Sequence, residues 1–247
     1  MSKIKISAVS YTNTKPFLYG LQHTDIINKI DLSLDVPADC AQKLIDNTVD
    51  IGLIPVAAAL NIPDWHIVSD YCIGAVGAVN SVFIFSNCPI EDVETLQLDP
   101  QSRTSNNLAL VLLKNYWKLS PQQITNAPDY STSTHKNTAF VQIGDRTFGK
   151  KDNYAYVYDL AEAWQQFTNL PFVFAAWIAN KPIPADFIEE FNTSLKFGLD
   201  HRAELFKELP TRADFDLEDY LMHKIDFELT ESKKQALFLF LDYVKAL

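Results

Sequence analysis

The sequence has 247 residues, is 47% hydrophobic and carries a formal net charge of −10. Such a chain has apolar residues for a sizeable core, in one large domain or two lobes, and its charge argues against nucleic acid as the main partner while leaving room for a small anion in a locally positive cleft. Cys40, Cys72 and Cys88 show no metal-like spacing, no apolar run is long and clean enough for a bilayer, and no secretion signal precedes the first strand, so a cytoplasmic protein with reduced thiols and no membrane partner is expected.

In chain order, residues 3–8 alternate as a strand does. Val9-Ser10-Tyr11-Thr12-Asn13-Thr14-Lys15-Pro16 follows, and then Phe17, Leu18 and Leu21 at helical spacing. Asn13 or Thr14 can cap that helix, and Pro16 suits its first turn. A strand–turn–helix junction offers free backbone N–H groups and a partial positive charge, a natural place for a carboxylate or phosphate and equally an ordinary capped turn. Leu32, Leu34 and Val36 predict a second strand, and Pro37 opens a helix with Cys40, Leu44 and Ile45 on one face. Residues 50–55 read as a short apolar strand, 57–60 as one or two helical turns, 65–68 as a fourth strand, and 73–85, with Gly74 and Gly77, as one or two more. Composition shifts at Ser86-Asn87-Cys88-Pro89, where a crossing into another lobe is expected. Beyond it the pattern predicts a short helix at 89–96, a brief strand at 97–99 and a helix at 105–118. A polar loop at 126–137, a strand at 139–145 and a helix at 159–167 come next. The strongly apolar strand at 172–178 marks the expected crossing back, and 184–208, 217–224 and 231–246 are helical in pattern. Strands alternating with helices predict an α/β fold with two lobes: residues 1–86 and 177–247 in the first, 87–176 in the second, and a ligand cleft between them.

The familiar signatures are missing: no phosphate-binding glycine loop, no dinucleotide fingerprint, no nucleophile elbow and no zinc spacing. No metal and no organic cofactor is expected. His23, His66, His135, His201 and His223 are scattered, with His135 in a polar loop the best candidate base of a weak set. The informative stretch is Ser102-Arg103-Thr104-Ser105 at the start of an apolar-faced helix. One cap needs one hydroxyl; three hydroxyls and an arginine exceed that need and point to a carboxylate site. Asn80-Ser81, ahead of an apolar strand, suits a strand-end hydrogen bond or a ligand contact equally. Asp145, in Ile143-Gly144-Asp145-Arg146, reads as a local cap or a partner for Arg146 before it reads as a site carboxylate.

Taken in order, the motifs resemble a known family. They are Val9 to Pro16, Asp50-Ile51-Gly52-Leu53-Ile54-Pro55-Val56, Ser102 to Ser105, Ile143 to Arg146, Tyr158-Asp159-Leu160-Ala161-Glu162-Ala163-Trp164 and Leu170-Pro171-Phe172-Val173-Phe174-Ala175. This series is similar to chorismate dehydratase of the futalosine route to menaquinone. The resemblance implies a two-lobed fold like that of type II periplasmic binding proteins, and loss of water from chorismate without metal or organic cofactor. It puts Asn13 and Ser81 where that family's catalytically important Asn and Ser lie. Ser10, Tyr11, Ser102, Arg103, Thr104, Ser105, Gly144 and Asp145 become the expected substrate contacts. It further implies that the substrate's own enolpyruvyl carboxylate is the base. Thr12 stands where the family often has Leu, and Asn106-Asn107 where Val-Ala is common. The sister enzyme that makes 1,4-dihydroxy-6-naphthoate and a non-catalytic solute-binding protein are the alternatives. Monomer and homodimer are both left open.

Overall fold

A computed structural model describes residues 3–125 and 137–247. Two sheets organise the chain. The first has six strands in the order β11-β4-β10-β3-β1-β2 and the second five in the order β7-β6-β8-β5-β9.

The N-terminal half of the first sheet is βαβ-like. β1 (Ile4–Val9) runs parallel to β2 (Ile30–Asp35) and β3 (Ile51–Pro55), with α1 (Lys15–Gln22) and α2 (Pro37–Ile45) making the crossovers. Both helices carry proline in the first turn, where no amide partner is lost. β4 (His66–Ala75) and β10 (Phe172–Ala179) then add antiparallel strands. All eight residues of β10 are buried, the expected state of a central strand covered on both faces. α5 (Ala185–Asp200) lies across α1 at a close crossing. A Cβ at Gly20 would strike the backbone of Ser194, and one at Gly198 that of Pro16, so only glycine allows this approach. Trp177 packs edge-on to Phe191 and tilted against Phe17 beneath that crossing.

The second sheet holds β5 (Val82–Ser86), β6 (Thr95–Gln97), β7 (Gln122–Ile124), β8 (Thr138–Ile143) and β9 (Tyr156–Asp159). α3 (Arg103–Leu112) and α4 (Leu160–Thr168) pack on one face. Phe83, Phe85 and Phe140 form a small separate core. The chain changes sheets within 76–81 and again within 160–171, ahead of both crossings expected from composition. β5 is as apolar as β4, so the compositional break at Ser86 comes one strand after the topological one.

Several elements differ from the sequence expectation. The helix expected at 89–96 is a 3₁₀ turn, Ile90–Asp92, followed by β6. Pairing of Leu96 with Ala139 in the sheet outweighs helix propensity there. The strand expected at 97–99 accordingly begins earlier. β7 was not foreseen, being fully exposed and without alternation; nor was β9, whose Tyr158-Asp159 reads as a helix cap. The C-terminal segment is not helical throughout. α5 stops at Asp200, α6 (Arg202–Leu205) and α7 (Leu217–Asp219) are short, and β11 (Asp226–Glu228) joins the edge of the first sheet before α8 (Glu231–Lys245). The loop expected at 126–137 lies, apart from Asn137, outside the described residues. Among the described residues no helix is long and apolar enough to cross a membrane.

Candidate functional site

Three strand ends and one helix start converge between the sheets. β1 ends at Val9, and the chain passes through Ser10 and Tyr11 into a 3₁₀ turn, Thr12–Thr14, that leads directly into α1. This brings Tyr11, Asn13 and Thr14 to the wall of a cavity. On the other side stand Ser81 at the start of β5, Gly144 at the end of β8, and Ser102, Thr104 and Ser105 at the start of α3. Val9, Ile73, Ile143 and Phe174 supply apolar wall. The cavity holds about 560 Å³ not occupied by protein atoms, part of it open to solvent.

The hydroxyls at the start of α3 divide their work. Ser102 Oγ accepts from Ser105 N at 3.0 Å and caps the helix. Thr104 Oγ1 accepts from Ala57 N of the first lobe at 3.1 Å, which leaves its own proton for the cavity. The capped N-terminus adds its dipole, favourable to an anion. Arg103 differs from expectation. It is half-buried, does not line the cavity, and its guanidinium has no partner among the described residues. It is the first residue of α3, directly after the Ser102 cap.

Ser81 is fixed from several directions. Asn80 before it has a left-handed backbone, φ +59°, which asparagine tolerates better than most residues. Asp159 Oδ2 accepts the Asn80 N–H at 2.7 Å, while Asp159 Oδ1 accepts from Ala161 and Glu162 to cap α4. Burial pushes the Asp159 carboxyl up to about 6, against the pull of these N–H groups. The Ser81 carbonyl accepts from Gly144 N at 2.8 Å, and Ser81 Oγ accepts from the Tyr220 hydroxyl at 2.8 Å. Gly144 has φ +62°, and a Cβ there would lie 2.8 Å from the Tyr11 ring. Both facts require glycine.

The two sides of the cleft are latched. Asp145 does not line the cavity. Its carboxylate accepts Thr12 N at 3.1 and 3.2 Å and Thr12 Oγ1 at 2.8 Å, tying the N-terminal turn to the second sheet. The Tyr11 hydroxyl donates to Gln101 Oε1 at 2.5 Å. Burial raises the Tyr11 pKa, partly offset by the Arg146 guanidinium. Arg146 binds the buried Asp99 at 2.6 Å, and Asp99 also accepts from Ile143 N and Gln101 N. Burial disfavours the Arg146 charge, but Asp99 and Tyr11 outweigh it and raise its pKa. Ser10 is exposed at the rim, bonded through its N–H to Asp35 O, and does not line the cavity.

Sequence reasoning thus brought seven of its named residues to one cavity: Tyr11, Asn13, Ser81, Ser102, Thr104, Ser105 and Gly144. It missed Tyr220, which lies in no motif, and it offered Asp145 as the partner of Arg146, whose partner is Asp99. Tyr11 is the only lining side chain, among the described residues, that can titrate. His23, His66, His201 and His223 lie elsewhere, and His135 is outside the described residues. Among the described residues no group of three or more His, Cys, Asp or Glu is placed to hold a metal ion. The arrangement can bind and orient an anion through neutral donors and stabilise charge developing on it.

A family model described as menaquinone biosynthesis matches residues 4–246. Among solved structures the chain is similar to protein AF1704 from Archaeoglobus fulgidus, with 13% identity and a TM-score of 0.69 over 99% of this chain and 97% of that one. It is similar to the Candida albicans CA3427 gene product, described as exhibiting the generic periplasmic binding protein structural fold (13% identity, TM-score 0.67, 100% and 91% covered). A third is the alkanesulfonate-binding protein SsuA from Xanthomonas axonopodis pv. citri bound to MOPS (12%, 0.65, 100% and 93%). At such identities the likeness is one of fold: two lobes of the periplasmic-binding-protein type.

Proposed function

Because the chain belongs to the menaquinone-biosynthesis family, we propose that it is a hydro-lyase that removes water from chorismate to give 3-[(1-carboxyvinyl)oxy]benzoate. The observation that carries this reading is a cavity walled by amide and hydroxyl donors from both lobes, with no histidine, carboxylate or lysine lining it among the described residues. Chorismate has two carboxylates, which such donors and the α3 N-terminus can hold. Its C3 proton is acidified through the ring carboxylate, and loss of that proton with the C4 hydroxyl leaves an aromatic ring. Donors on the ring carboxylate stabilise the charge that develops there. The C3 proton passes to the enolpyruvyl carboxylate, the C4–O bond breaks, and the same proton ends on the departing oxygen as water. The protein's contribution is then position and electrostatics. Asn13 and Ser81 orient the carboxylate base and the departing hydroxyl. The reading places the enzyme in the cytoplasm with a small-molecule substrate.

The test is purified protein with chorismate, the product identified by mass and ultraviolet spectrum. Loss of one water to an aromatic product is expected. Chorismate bound without turnover would favour a solute-binding protein, the role that the alkanesulfonate-binding protein has on this fold. No binding and no water loss would sink both.

A further inference from the structure

Tyr220 belongs to no motif, yet its hydroxyl meets one of the two residues on which the proposed reaction turns. It opens a π-helical turn, Tyr220–Lys224, and is 1% exposed. Its ring stands edge-on to Phe148 and to Phe215, with centroids 5.3 Å away in both cases, and those two rings stack on each other at 3.8 Å. The clamp fixes where the hydroxyl points. It points at Ser81 Oγ, 2.8 Å away, and donates to it. Asn13 lines the same cavity as Ser81.

The direction of this bond has a consequence. A phenol has one proton, and here it goes to Ser81. Ser81 cannot return its own proton along that bond, and no acceptor for it is found among the described residues. That proton is left for the cavity, which Ser81 lines. Burial raises the Tyr220 pKa far above its ordinary value, so the phenol stays a donor and does not act as an acid.

We infer that Tyr220 is a positioning residue: Tyr220 and Ser81 form a one-way pair of donors whose open end is the Ser81 hydroxyl, aimed at the oxygen that leaves as water. This rests on the dehydration reading. Tyr220 touches no substrate; it fixes the sense of the Ser81 hydroxyl and so keeps it a hydrogen-bond donor to that oxygen as the C4–O bond breaks, while the proton that completes the water is the one from C3.

Tyr220→Phe keeps the ring and its packing and removes the donor. Steady-state kinetics with chorismate should show kcat lowered about 10- to 100-fold with KM little changed, because the bond matters as charge develops. A second measurement needs no turnover. In protein with tyrosine labelled at the ring carbon bearing oxygen, nuclear magnetic resonance should show slow exchange of the Tyr220 hydroxyl proton in wild type and faster exchange in Ser81→Ala. Wild-type kcat in Tyr220→Phe, or equal exchange with and without the Ser81 hydroxyl, would overturn the inference. If wild-type protein failed to dehydrate chorismate, the functional reading would fall by itself, and the exchange comparison would still decide the pair.

Discussion

Asn13 and Ser81 each sit where the backbone gives them little freedom, one in a 3₁₀ turn and one after a left-handed asparagine. Neither can be a base at neutral pH. Their value is geometric, and a displacement of about 1 Å in such a site can cost ~100-fold in rate. Asn13→Ala is accordingly expected to lower kcat by about that factor, with an unchanged thermal midpoint. A variant as fast as wild type would remove Asn13 from the reaction. At α3 the hydroxyls should act on binding. Thr104→Ala combined with Ser105→Ala is expected to weaken chorismate binding by roughly 1–3 kcal/mol per lost charge-assisted bond, as calorimetry would read. Ser102 is left out of that pair because its oxygen also caps α3, so its removal would disturb the helix start as well as the site.

At the scale of elements, α4 is coupled to the site through one carboxylate. Asp159 caps the helix and holds Asn80, hence Ser81. Its folded pKa of about 6 stands above the ordinary 3.8, so the folded protein retains a proton that the unfolded chain has lost. The contribution of this group is therefore fully present below pH 3.8 and disappears as pH rises through 6, by roughly 3 kcal/mol in all. Asp159→Asn cannot titrate, and denaturant midpoints measured from pH 4 to 7 should lack this decline. An identical profile in the variant would show that Asp159 is ionised throughout. The same element shows what a sequence can reveal. The junctions after β1 and before α3 were legible because caps, prolines and hydroxyl surpluses are local. β7, β9 and β11 were not, because their strand state comes from pairing partners far along the chain. Arg103 was expected at the site for a related reason: where the side chain at a helix start comes to lie, like the pairing of Arg146 with Asp99, is a tertiary fact.

For the molecule as a whole, the latch adds Thr12 with Asp145 and Tyr11 with Gln101 to the bond between Thr104 and Ala57 across the cleft. Lobes of this fold commonly close about a hinge. Small-angle scattering is expected to give a smaller radius of gyration at saturating product than without ligand, and identical profiles would mean a rigid cleft. Asp145→Asn should retain substantial turnover, since Asp145 faces Thr12 and not the cavity, while shifting the unliganded protein toward the larger radius. Loss of turnover with binding intact would instead make Asp145 the base.

Thr12, which carries the latch, precedes Asn13 directly in the chain. The door and the working part are thus cut from one piece. In the closing motion proposed above, opening would take from the turn that holds Asn13 its anchor on Asp145. On the dehydration reading, an enol ether would then meet both walls of donors only while bulk water is shut out.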